Sequence, residues 1–132
     1  MVHIRQATPE DVNLLVHLSR QTFLEAFAAD NDPTDMEDYL AEALSLERIQ
    51  SELSADASTF LLISHTPVSQ PVGYAHLRSD FSKSCVMGAH PIELVRLYVQ
   101  QSAIGQGYGS QLMQACLEHS RQEGFKTLWL GV

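Results

Sequence analysis

The sequence predicts an α/β fold in which a sheet of mixed strand directions is flanked by helices. Three observations carry this. Residues 9–53 are dominated by apolar positions at helical spacing. Two β-favouring runs follow at 59–64 and 72–78, with a Pro/Ser/Gln turn between them. The last forty residues then read strand, glycine turn, amphipathic helix, strand, an order that belongs to an α/β sheet.

Each element has its own signal. Residues 3–8 read as a short strand. Thr8-Pro9-Glu10-Asp11 then gives a hydroxyl N-cap, proline at N1 and acids in the first turn, so a helix should span residues 9–28. Its apolar stripe is Val12, Leu15, Val16, Phe23, Ala26 and Phe27, with Ser19 as the one polar break. Asp32-Pro33 repeats the start signal for a second helix with Met36, Tyr39, Leu40, Ala43 and Leu44 on its stripe. Ser45 caps a third, with Leu46, Ile49 and Leu53 inward. Residues 59–64 and 72–78 form a hairpin, and 79–91 have no sustained period and read as a loop. A strong strand at 92–99 leads into glycines at 105, 107 and 109. A helix over 110–123 with Leu112, Met113, Cys116 and Leu117 on one face, a C′ residue at Gly124 and a strand over 126–132 complete the chain.

A chain of 132 residues, 45% hydrophobic, suits a single domain over residues 1–132 that buries an ordinary core without staples. Cys85 and Cys116 fall in no CxxC or Cys/His ligand spacing, which fits a reducing cytoplasm. No stretch approaches the roughly 18 consecutive apolar residues of a membrane span. The formal net charge of -8 repels phosphate backbones at long range, so nucleic acid is an unsuitable partner and a cationic substrate is favoured. His3, His65, His76 and His90 show no ligand spacing, and Cys116-x-x-His119 lacks further partners, so no metal is expected. Tyr74 and Tyr98 read as packing residues.

The chemistry-bearing segment is the turn at 104–110. Glycines at 105, 107 and 109 remove Cβ atoms where the chain passes from strand to helix, so several N–H groups can converge on one anion near the helix's positive end. A pyrophosphate is the natural occupant. A P-loop needs Gly-Lys-Ser/Thr, which Gly109-Ser110-Gln111 does not supply, and a dinucleotide fingerprint needs G-x-G-x-x-G with an acid about 20 residues on. A turn that merely starts a helix and binds nothing is the other reading of these residues.

Ile104-Gly105-Gln106-Gly107-Tyr108-Gly109 resembles the acetyl-coenzyme A signature of the GNAT superfamily, Arg/Gln-x-x-Gly-x-Gly/Ala, with Ile104 in place of the Arg or Gln. The order of elements is similar along the whole chain. Thr22-Phe23 through Tyr39-Leu40, Glu93 to Val99 and Trp129-Leu130-Gly131-Val132 also resemble the bacterial polyamine acetyltransferases. The resemblance implies the GNAT (acyl-CoA N-acyltransferase) fold, a mixed, mostly antiparallel sheet that here lacks the final helix and strands. It implies acetyl-CoA as co-substrate, with its pyrophosphate at Gly105, Gln106, Gly107, Tyr108, Gly109 and Ser110 beside Ile104. It further implies that the strand before the turn is splayed from its neighbour, that Leu97 and Val99 pair with the pantetheine arm, and that the Val99 N–H faces the thioester carbonyl.

On the acceptor side, Glu93 matches the position where histone-type members carry a general base. Strict alternation puts it in phase with Val95, Leu97 and Val99, and Arg96 on the opposite face. A solvated strand-end charge is the competing account of Glu93. Asp30, Asp32, Asp35, Glu37, Asp38 and Glu42 either draw in a polyamine or serve as helix-start acids on a wet face. The expected function is acetyl transfer to a primary amine by direct attack in a ternary complex. The alternative is a non-catalytic coenzyme A-binding module, because the family's further helix and strands, with their proton donor to the thiolate, have no counterpart in the sequence. The apolar strand at 126–132 would leave an edge to cover, which leads to the expectation of a homodimer, with a domain truncated at its C-terminal end, a piece of a longer polypeptide, as the competing account.

Overall fold

The protein is described by a computed structural model covering residues 2–80, 86 and 88–131. Its described elements are β1 (His3–Gln6), α1 (Val12–Phe27), α2 (Pro33–Ala43), α3 (Leu46–Ser54), β2 (Ser58–Ser64), β3 (Pro71–Arg78), β4 (Pro91–Val99), α4 (Tyr108–Gln122) and β5 (Thr127–Trp129). Single 3-10 turns lie at Pro9–Asp11, Ala28–Asp30 and Gln101–Ala103. Part of the loop expected at 79–91, with Cys85, lies outside the described residues, as does Val132.

The five strands lie in sequence order in one sheet, antiparallel from β1 to β4, with β5 parallel to β4. Helices cover both faces. Leu61, Ile63, Ala75, Leu77, Ile92 and Leu94 pack with Leu112 and Cys116 of α4. On the other face Phe60, Leu62 and Tyr74 meet Leu15, Leu18, Leu44 and Ile49 from the three N-terminal helices. The expected mixed α/β sheet is therefore present, and its two cores place α4 and the glycine turn on one face, α1 to α3 on the other.

Several local expectations are corrected. In α1 the buried face is Leu15, Leu18, Ser19 and Thr22, while Ala26 and Phe27 are exposed. Ser19 and Thr22 can be inside because each hydroxyl donates back to a helix carbonyl, Ser19 to Val16 and Thr22 to Leu18. Leu46 and Leu117, expected inward, are exposed. The last helix starts at Tyr108, not Ser110, because Gly107 takes the left-handed φ of 84° and acts as its N-cap. The final strand is only three residues long, and its pairing to β4 stops at Glu93 opposite Trp129.

The most consequential correction is in β4. Opposite β3, His76 faces Arg96 and Leu77 faces Leu94, so Val95 is an extra residue, a β-bulge. The bulge reverses the alternation. Glu93 then shares a face with Arg96 and Tyr98, the α1 to α3 side, whereas Leu97 and Val99 join Leu94 on the α4 side. The expected phase of Glu93 with Leu97 and Val99, and the expected separation of Glu93 from Arg96, are both overturned.

Candidate functional site

The corner between β4 and α4 holds a concave feature built from the residues singled out in the sequence. Val99, Ala103, Ile104, Gly105, Gly107, Tyr108, Gly109 and Ser110 line a depression of about 350 Å³. Gly105 and Gly107 have φ of 90° and 84°, a conformation that L side chains rarely adopt, so glycine is needed at both. A Cβ at Gly105 or Gly109 would meet nothing within 4 Å, and one at Gly107 only the Gln111 amide at 3.9 Å. The turn is therefore open to a ligand and not packed against protein. The first turn of α4 begins at Tyr108, so its N–H groups are the unsatisfied donors of a 15-residue helix. Tyr108 is buried, and its hydroxyl lies 2.7 Å from His65 Nδ1 at the end of β2. That tie fixes the start of α4 to the sheet, a role for His65 that residue spacing gave no reason to expect.

A second depression, of about 240 Å³, shares Val99 and Ile104 with the first and adds Thr22, Glu25, Ala26, Leu97, Tyr98 and Gln101. Together they make a trough running from the glycine turn along the end of β4 towards α1. The Gln100 N–H is given to Val72 O of β3 at 2.7 Å. Because successive N–H groups point to alternate edges of a strand, those of Leu97 and Val99 point away from β3. Among the described residues no strand pairs with that edge beyond Glu93. The larger depression between α1 and the start of β3, about 500 Å³ and lined by Asn13, His17, Gln70 and Gln100 among others, holds none of the predicted site residues.

Glu93 is not in the trough. It is 8% exposed, and Oε1 accepts both Nη2 and Nε of Arg78 at 2.6 and 3.1 Å. The residue directly across the β3–β4 ladder is its partner. Arg96 instead gives Nη2 to Glu52 at 2.7 Å. His76 lies between these pairs, fully buried, stacked on Phe60 at 4.1 Å, with Nε2 3.0 Å from Ser58 Oγ. Burial, then the charges of Arg96 and Arg78, push its pKa down to about 3, so it is a neutral core group at ordinary pH. Tyr74 is wholly buried, and burial raises its pKa. Burial also pushes the Cys116 thiol up to about 11.

The acids of 30–42 are all exposed, and only Asp32 has a structural task, as N-cap of α2 accepting the N–H groups of Thr34 and Asp35. Among the described residues no group of three or more His, Cys, Asp or Glu side chains is placed to hold a metal ion. No described helix is long and apolar enough to cross a membrane.

The model of the acetyltransferase (GNAT) family matches residues 16–132 of the chain. An uncharacterized N-acetyltransferase in pepI 3'region of Lactobacillus delbrueckii subsp. lactis is 28% identical over 131 residues, covering 99% of this chain and 75% of that one. The PaiA N-acetyltransferase of Thermoplasma acidophilum, solved in complex with coenzyme A, superposes with a TM-score of 0.82 at 20% identity, covering 100% of this chain and 79% of that chain. An aminoglycoside acetyltransferase, meta-AAC0020 from an uncultured soil metagenomic sample, solved with sisomicin, gives 0.71 at 16% identity, with 99% and 77% covered.

Proposed function

We propose, from the premise that the chain belongs to the acetyltransferase (GNAT) family, that the trough along the end of β4 is where acetyl-coenzyme A binds and a cationic primary amine is acetylated. The observation that carries the proposal is the union of the two depressions at Val99 and Ile104, which joins a glycine turn at a helix N-terminus to a strand edge that is unpaired among the described residues. The residues present fit this ligand. A pyrophosphate needs a cradle free of Cβ atoms with convergent N–H donors, and residues 105–110 offer both. The pantetheine arm carries amides that can pair with the Leu97 and Val99 backbone groups on the open edge.

Acetyl-coenzyme A supplies an acetyl group activated as a thioester. The Val99 N–H donates to the thioester carbonyl and stabilises the charge that grows on its oxygen as the amine nitrogen forms its bond to the acetyl carbon. Such a donor is worth about 3 kcal/mol. The C–S bond then breaks, and the thiolate takes up a proton. The nitrogen must lose its own proton before or during attack, and Glu93 is our proposed acceptor. Five residues of strand, the bulged Val95 among them, lie between it and Val99, and the two side chains are on opposite faces of the sheet. Glu93 is thus out of direct reach of an amine at Val99, so in this proposal the proton has to pass to it along a chain of waters, and Arg78 holds its carboxylate in place. The exposed carboxylates of Asp30, Asp35, Glu37, Asp38 and Glu42, together with a net charge of -8, support an acceptor of polyamine type through long-range attraction.

Calorimetry with coenzyme A, followed by acetyl transfer to a panel of amines that includes spermidine, tests the proposal. Saturable binding with preference for polycationic amines supports it. An absence of coenzyme A binding, or activity confined to acceptors without a positive charge, overturns it.

A further inference from the structure

The corner between β4 and the glycine turn is held from outside the sheet by α1. Gln101 opens the 3-10 turn Gln101–Ala103 that precedes Ile104, and the residue before it, Gln100, makes no side-chain cap bond. The cap comes from α1 instead. Glu25 Oε1 accepts the Gln101 N–H at 2.9 Å. One helical turn earlier, Gln21 receives Gln100 Nε2 on its Oε1 at 3.3 Å and offers its own Nε2 to Glu25 Oε2 at 3.4 Å. Gln100 is meanwhile anchored through its N–H to Val72 O in β3. The corner is thus gripped on one side by the sheet and on the other by two α1 side chains.

Glu25 also borders the trough, beside Leu97, Val99 and Ile104, and among the described residues lining the two joined depressions it is the sole charged side chain. A carboxylate next to a polyanion's site disfavours that ligand electrostatically. Its presence calls for a compensating task, and the bond to Gln101 supplies one. We infer that Glu25 is a positioning residue for the cofactor: by capping Gln101 it sets the corner from which the glycine turn springs, with Gln21 steering the carboxylate. This rests on the proposed coenzyme A site and adds to it a residue whose task is to hold the corner of the chain that leads into the glycine turn.

Coenzyme A binding is compared by calorimetry in the wild type, Glu25→Ala and Glu25→Gln, alongside the thermal midpoint and hydrogen exchange at the Gln101 amide. Glu25→Ala is expected to raise Kd about tenfold, the worth of one charge-assisted backbone bond, with faster exchange at Gln101 and a midpoint lower by a few degrees. Glu25→Gln keeps an oxygen that accepts the N–H and removes the repulsive charge, so its Kd should equal the wild-type value or fall below it. A wild-type Kd in Glu25→Ala overturns the inference, and so does a loss in Glu25→Gln as large as in Glu25→Ala. If the wild type itself binds no coenzyme A, the proposed function falls and takes the inference with it.

Discussion

Replacing Gly109 by alanine separates the cost of folding from the cost of binding more cleanly than any other change in the glycine turn. Gly109 is the second residue of α4, its φ is not positive, and an added Cβ meets nothing within 4 Å. Alanine there is unstrained and better suited to a helix than glycine, by roughly 0.5–1 kcal/mol. The free protein should therefore become more stable, its thermal midpoint rising by about 2–6 °C for a domain of this size. The proposed pyrophosphate fills the space into which the new methyl points. Coenzyme A should then bind at least tenfold more weakly, about 1.4 kcal/mol, despite the gain in stability. Gly107→Val is the less informative variant, because φ at Gly107 is 84° and strain in the protein would mix with any effect on the ligand. Differential scanning calorimetry and isothermal titration on Gly109→Ala give the two quantities independently. A stabilised protein that binds coenzyme A as tightly as the wild type would falsify the placement of the pyrophosphate.

Other expectations follow from the buried charges and caps. Glu93→Gln should lower turnover at neutral pH by more than it alters coenzyme A affinity, and the loss should shrink at high pH where the amine is already neutral; equal turnover across pH removes Glu93 from the proton path. His76 is held neutral with a pKa of about 3 against an ordinary 6.5, so the folded state takes up its proton later than the unfolded chain. The stability it contributes is complete above about pH 6.5 and is lost as pH falls towards 3, at up to about 1.4 kcal/mol per pH unit. Urea melts of the wild type and His76→Phe at pH 7 and 5 should show a shallower pH dependence in the variant, and parallel losses would contradict this. Asp11 pairs with Arg5 through two 2.8 Å bonds and accepts the Thr8 N–H, which lowers its pKa to about 2. Asp11→Asn should cost about 1 kcal/mol at neutral pH for this largely exposed pair and cap. That difference is present above about pH 3.8 and should vanish as pH falls through 2; a constant difference down to pH 2 counts against the pairing.

The parts of the fold that depend on local pattern were legible in the sequence. Caps at Asp32 and Ser45 are made as their side chains predict, each accepting a backbone N–H of the following helix. Glycines at 105 and 107 take the left-handed conformations that a strand-to-helix turn demands. Legibility failed where a residue's environment is set by partners distant in sequence. The β-bulge at Val95 is invisible to a period of two, and with it went the side of the sheet that Glu93 faces. Its ion pair with Arg78 depends on the β3–β4 register across a loop without period. No signal in the sequence ties Glu25 to Gln101 or His65 to Tyr108, 76 and 43 residues apart.

By itself the sequence determined the element order and the glycine turn at the start of α4, because capping, glycine conformation and helix dipoles act over a few residues. Only the tertiary structure decided which face of the sheet each β4 side chain occupies, that Glu93 is clamped and outside the trough, and that α1 braces the corner leading to the turn. Those outcomes depend on strand register and on the docking of α1 against the end of β4. Both are settled by burying the two cores at once, and no stretch of a few residues contains that information.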